Sequence, residues 1–145
     1  MKIVLLVFIS FVMAYAQTPF VLTAFKSAYP VVEINTDKVP QEYKTNITKL
    51  LANTTKELGI NTAGYSSRPI ALTISRIAIG EKLVLKVALI VGEEVKRSDD
   101  NEEVFAITYV KDDIFEVESL RGDVMDSVEY LLEDFKEQYK EDNTK

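Results

Sequence analysis

The final quarter of the chain carries the clearest periodicity. Val124, Met125, Val128, Leu131, Leu132, Phe135 and Tyr139 recur at three- and four-residue steps, with charged residues between them. At about 100° per residue these positions fall on one stripe, which predicts an amphipathic helix over residues 123–141. Ser119 or Asp123 is placed to cap it, and Asp126 and Glu129 suit its positive end. The last residues, beyond 141, read as a short frayed tail. A second stripe, Tyr43, Ile47, Leu50, Leu51, Thr54 and Leu58, predicts a helix over residues 40–58. Pro40 suits its first turn, Gly59 its stop, and Ile60 is placed to close over that stop.

Between the helices the period changes from 3.6 to 2. Ile70, Leu72 and Ile74 alternate with Ala71, Thr73 and Ser75. Leu83, Leu85, Val87, Leu89 and Val91 alternate with Val84, Lys86, Ala88 and Ile90. Phe105, Ile107 and Tyr109 alternate with Val104, Ala106, Thr108 and Val110. Gly80-Glu81 and the run Ser98–Asn101 separate these strands as turns, so they form an antiparallel meander. The alternation slips between Ile74 and Ile77, where a bulge or strand end is expected. Residues 20–34 read as extended, with Pro30 marking an edge strand or a break.

The order is therefore β-α-β-β-β-α. Two helical stripes require one sheet face to pack on, which gives an α+β, two-layer sandwich with a mainly antiparallel sheet and both helices on one face. Leu72, Ile74, Leu85, Val87, Leu89, Phe105 and Ile107 are expected to point inward. The opposite face then carries Thr73, Val84, Lys86, Ala88, Ile90, Ala106 and Thr108. These are small or β-branched, and only Lys86 is ionic, whereas a solvated sheet face ordinarily carries more charge. That set is the candidate binding surface, for a protein partner or for self-association.

The start of the chain changes the picture. Met1-Lys2 is followed by an uncharged run from Ile3 to Ala14 and then by Ala14-Tyr15-Ala16. This is the layout of a secretory signal peptide, with cleavage expected after Ala16. The apolar run is shorter than the roughly 20 residues a membrane span needs, so no stable span is expected after cleavage. Residues 1–16 are the leader and residues 17–145 one domain, exported to a periplasm or the extracellular space. The strand and helix order resembles that of small envelope accessory proteins, such as lipopolysaccharide-assembly and transporter-auxiliary lipoproteins. The resemblance is one of architecture. It implies an envelope-assembly or transport role, although the lipid-anchoring cysteine of those proteins is missing here.

Composition removes several chemistries. The 145 residues include no cysteine and no histidine, which excludes Ser-His-Asp and Cys-His nucleophiles and the usual zinc and haem ligands. No cofactor or metal is expected. With 47% hydrophobic residues a core can form without disulfides. The net charge of −6 becomes one unit more negative once Lys2 leaves with the leader. An acidic chain lacks the basic footprint for nucleic acid.

What remains is carboxylate chemistry. Asp112, Asp113, Glu116 and Glu118 gather where the last strand ends, and a pair of them could serve as acid and base. Asp99, Asp100, Glu102 and Glu103 lack the spacing and central glycine of a calcium loop. Ser66 and Ser67 read as turn residues. Two function classes follow. One is a non-enzymatic exported protein that binds a protein or an apolar ligand. The alternative is a small carboxylate-dependent hydrolase, which a pocket holding two or more of these carboxylates would favour.

Overall fold

A computed structural model describes residues 21–144 of the chain. The expected leader, residues 1–16, lies outside the described residues. The elements are β1 (Tyr29–Asn35), α1 (Tyr43–Glu57), β2 (Pro69–Ile79), β3 (Lys82–Lys96), β4 (Glu103–Glu116) and α2 (Leu120–Asn143). They form an α+β fold in the expected β-α-β-β-β-α order. The sheet is four-stranded and mixed, in the order β1-β2-β3-β4. β1 runs parallel to β2 through the α1 crossover, and the other two pairings are antiparallel. Pro30 lies in β1, an edge strand, where its missing N–H costs no ladder bond.

Local chemistry explains the helix ends. After α1, Gly59 adopts φ +70°, a left-handed conformation that glycine enters without a Cβ penalty. Ile60 N–H then donates to the Thr55 carbonyl and Gly59 N–H to that of Lys56, the paired bonds of a Schellman stop. Ile60, only 4% exposed, closes over it as its spacing implies. α2 starts three residues earlier than the stripe suggested. Its N-cap residue is Ser119, and Asp123 of the first turn reaches back, its Oδ2 accepting the N–H groups of Glu118 and Ser119 at 2.7 Å each. The Ser119 hydroxyl makes no capping bond.

One cluster of buried residues takes in Ile47 and Leu51 of α1, Val128, Leu132 and Phe135 of α2, and alternate residues of the strands. Register fixes which strand residues those are. Val32, Leu72, Leu89 and Lys111 stand abreast, as do Ile34, Ile74, Val87 and Asp113. Phe135 is fully buried, with the rings of Phe25 and Tyr109 edge-on to it at 6.4 and 5.5 Å.

Four expectations need correction. β2 carries no bulge, because its pairing with β3 is unbroken from Ile70 to Ile79; Ile77 is outward-facing and stands opposite Val84. The irregularity lies in the next pairing, between Val91 and Gly92, where Thr108 of β4 has no partner. Beyond it Ile107 pairs with Gly92, and Phe105 with Glu94. The extra residue flips the parity of β4, so Phe105 and Ile107 do not point inward; they are 60% and 55% exposed.

The segment before β1 is not extended throughout. Residues 21–28 turn at Ala24, whose φ is 58°, and bury Leu22, Phe25 and Ala28 in the core. The C-terminal end is not a frayed tail, because α2 continues to Asn143 and is tied to that segment. Leu22 N–H donates to Asp142 Oδ2 at 2.6 Å, Ala24 N–H to Asn143 Oδ1 at 3.0 Å, and Asn143 Nδ2 to the Leu22 carbonyl at 3.1 Å. Neither end could be read from periodicity, since these bonds join polar side chains at the end of α2 to the backbone of a turn.

Leu132 is 3% exposed in the stripe that faces the sheet. Leu132→Ala should cost about 2–5 kcal/mol, from lost transfer energy and the cavity left behind. Urea denaturation measures this; a change below about 0.5 kcal/mol would place the stripe outside the core.

Candidate functional site

Two surfaces flank β4 on its opposite sides. The first is the sheet face pointing away from the buried cluster. Because directly opposed residues share a face, register sorts it into rungs. Val31, Ala71, Ile90 and Val110 form one rung across all four strands, and each is partly exposed. The next rung is Glu33, Thr73, Ala88 and Asp112, followed by Asn35, Ser75, Lys86 and Ile114. Lys86 Nζ pairs with Asp112 Oδ2 at 3.2 Å.

The apolar rung is extended by the bulge. Phe105 and Ile107, turned outward, lie beside Gly92. A Cβ on Gly92 would sit 2.2 Å from Phe105 Cζ, so the bare backbone there is what lets the ring lie flat on the strand. Of the residues expected on this face, Thr73, Val84, Lys86, Ala88 and Ile90 are together on it. Val84 and Ala88 are covered by their neighbours, at 8% and 3% exposed, so they support the face more than they present it. Ala106 and Thr108 are not part of it. The parity change places them at a hollow shared with Val21, Thr23, Glu93, Val95 and one side of Ile107. Phe105 and Ile107 take their place, and Gly92, directly after the apolar run from Val87 to Val91, was the one sign in the sequence of that exchange.

The second surface is a cleft of about 360 Å³ between the end of β4 and the start of α2. Asp113 and Phe115 line it from the strand, with Glu116 and Glu118 from the strand end. Asp123, Asp126, Ser127 and Tyr130 line it from α2. Those four fall at steps of three, one and three, a single helix face. Three of the four carboxylates singled out from the sequence meet here, and Asp112 does not, being directed to the opposite face. Asp126, Ser127 and Tyr130 were missed; their helical spacing after Asp123 was the available signal.

The cleft's acids are unequally occupied. Glu116 is paired with Lys82 at 2.6 Å, and Asp123 is held by the backbone N–H groups of Glu118 and Ser119. Among the described residues Asp113, Glu118 and Asp126 have no basic partner within ion-pair distance. No group of three or more acidic side chains among the described residues is arranged to hold a metal ion. The other acidic run is a hairpin turn, with Asp100 and Glu102 both bound to Arg97. Ser66 accepts the N–H of Arg68, as a turn residue does.

Near the cleft, at the rim of the core, Asp134 accepts the Tyr109 hydroxyl at 3.2 Å and Lys111 Nζ at 3.0 Å. Burial, and then the Asp134 carboxylate, push the Tyr109 phenol well above its ordinary value. The hydrogen bond to Asp134 likewise raises Lys111.

No protein-family model matches the chain, and no curated protein does. Among solved structures, a PelC dodecamer from Paraburkholderia phytofirmans is similar at 11% identity and a TM-score of 0.40, covering 79% of this chain and 88% of its own. A neuraminyllactose-binding hemagglutinin homolog from Helicobacter pylori is similar at 8% identity and 0.35, over 86% and 89%. A minor lipoprotein from Acinetobacter baumannii is similar at 8% and 0.32, over 81% and 92%. Likeness at this level carries no information about either surface. Among the described residues no helix is long and apolar enough to cross a membrane.

The Tyr109 shift has a testable sign. The folded protein keeps the phenol proton at pH values where the unfolded chain has lost it, so the folded state binds more protons and stability falls as pH rises. The contribution is complete below about pH 10, the ordinary tyrosine value, and declines above it. Denaturation between pH 8 and 11 should show this decline, and Tyr109→Phe should flatten it; an equally steep fall in the variant would remove Tyr109 as its source.

Proposed function

We propose that this is a non-enzymatic exported protein that docks another protein, an envelope component or a second copy of itself, on the open face of its sheet. The observation that carries the reading is the apolar rung Val31, Ala71, Ile90 and Val110, continued outward by Phe105 and Ile107. An exposed apolar patch of this kind marks a contact surface. Lys86 and Asp112 beside it pair with each other, while Glu33 and Glu94 at its margin have no ion-pair partner among the described residues, so the partner surface this face fits is apolar at its centre. The leader layout at residues 1–16 supports export to a periplasm or the extracellular space.

A carboxylate-dependent hydrolase is the second reading, and the cleft holding Asp113, Glu116 and Glu118 favours it. It is carried less far, because Glu116 is engaged by Lys82 and no nucleophile stands with a base beside it.

Two experiments test the first reading. Ile90→Lys with Ile107→Lys alters two partly or largely exposed positions, so the fold should survive. Light scattering of the protein, and its recovery with envelope partners, should both be measured; loss of self-association or of partner recovery is expected. Unchanged assembly in the folded double variant would remove this face as the docking surface. N-terminal sequencing of the native product should begin at Gln17, and an intact Met1 would overturn export by cleavage.

A further inference from the structure

Along β3 the open face is complementary to its own reversal. The outward residues of that strand are Lys86, Ala88, Ile90, Gly92 and Glu94. Ile90 stands at the centre, with a cation at one end of the stripe and an anion at the other. Ala88 leaves little bulk on one side of Ile90, while on the other the Phe105 ring fills the space over Gly92. Lys86 holds Asp112 at 3.2 Å, and an ammonium has N–H groups to spare for a second acceptor. Glu94 is exposed and has no ion-pair partner among the described residues. At equal distances from Ile90, small thus stands opposite bulky and positive opposite negative.

We infer that this face packs on the same face of a second copy of the chain, about a two-fold axis running across the strands along the rung Val31, Ala71, Ile90 and Val110. The pairing rests on the docking reading above and names its partner. Packed this way, each residue meets the one equally far beyond the rung. Lys86 meets Glu94 of the second copy, and by symmetry the contact is made twice. Ala88 and Ile114, which flank the Lys86–Asp112 pair, meet the Phe105 ring. On β1, Glu33 and Tyr29 flank Val31, so that the free carboxylate meets a phenol hydroxyl. Sheets packed face to face lie about 10 Å apart, a gap that a lysine and a glutamate extended toward each other can close. Asp112 falls against Ile107, with its charge held by Lys86. The alternative two-fold axis runs along the strands, centred between β2 and β3, and lays β1 over β4. It sets Glu33 against Asp112 and leaves Glu94 beyond the end of β2. Like charges opposed across an interface disfavour that arrangement.

The full chain is expressed with its leader, purified as recovered and followed by sedimentation equilibrium. A dimer is expected. Glu94→Lys and Lys86→Glu should each weaken it by about tenfold or more, because each opposes like charges twice across the axis. An equal mixture of the two variants should restore a dimer with one copy of each, since both contacts are then between opposite charges. Glu94→Lys breaks no intrachain ion pair, so its melting temperature should match the parent's, and it carries the test alone if Lys86→Glu fails to fold beside Asp112. A parent that stays monomeric at submillimolar concentration overturns the second copy as partner; the docking reading survives that result if Ile90→Lys with Ile107→Lys still loses partner recovery. A dimer broken by that double variant yet indifferent to Glu94→Lys, or a mixture of folded charge variants that stays monomeric, overturns the two-fold pairing and leaves the face standing. A dimer that withstands Ile90→Lys with Ile107→Lys overturns both.

Discussion

Phe135 has to be enclosed on every side, and parts of the chain that are far apart in sequence are needed to enclose it. Phe25 approaches from the segment before β1, and Tyr109 from β4. Tyr139, one turn further along α2, lies at a tilted 33°. Edge-on packing sets the rings' mutual angles, so each contact constrains direction as well as distance. Tyr109 adds a further constraint, because its hydroxyl must leave the apolar cluster for a partner. Asp134 provides one and draws Lys111 to the same point. The position of α2 over β4, and hence the walls of the cleft, follow from this arrangement.

Elements whose burial is periodic were legible in the sequence. Both helical stripes, the Gly59 stop and the three-strand meander follow from spacing alone, because one face of each element is core. The bulge was not legible in its true place. From Val104 to Val110 the β4 residues are apolar or small at both parities, so either phase reads equally well. The slip near Ile77 looked more irregular than it is, since an apolar outer face mimics a change of phase. The clustering of carboxylates near the end of β4 was readable. Their partition was not, because adjacent residues of a strand point to opposite sides. Asp112 joins Lys86 on the open face while Asp113 enters the cleft, and only the register decides which does which.

The sheet's two edges differ from its open face in what they permit. β1 is short and contains Pro30, and β4 carries Lys111, Asp112 and Asp113 at its centre. A proline and a run of charges both obstruct the addition of a further strand. The open face has no such guard over its apolar rung. Association through side chains on the face, without continuing the hydrogen-bonded ladder, is the mode this distribution favours.

The bonds joining residues 22–24 to Asp142 and Asn143 span 120 positions of sequence. During synthesis Asp142 and Asn143 are made about 120 residues after the segment they hold. Until they appear, Leu22 and Phe25 lack one wall of their pocket, and the two open backbone N–H groups have only water to bond. The domain therefore reaches its final closure only once the far end of α2 has been made, not as the sheet grows. Until then a nascent chain is held short of its most stable state by geometry.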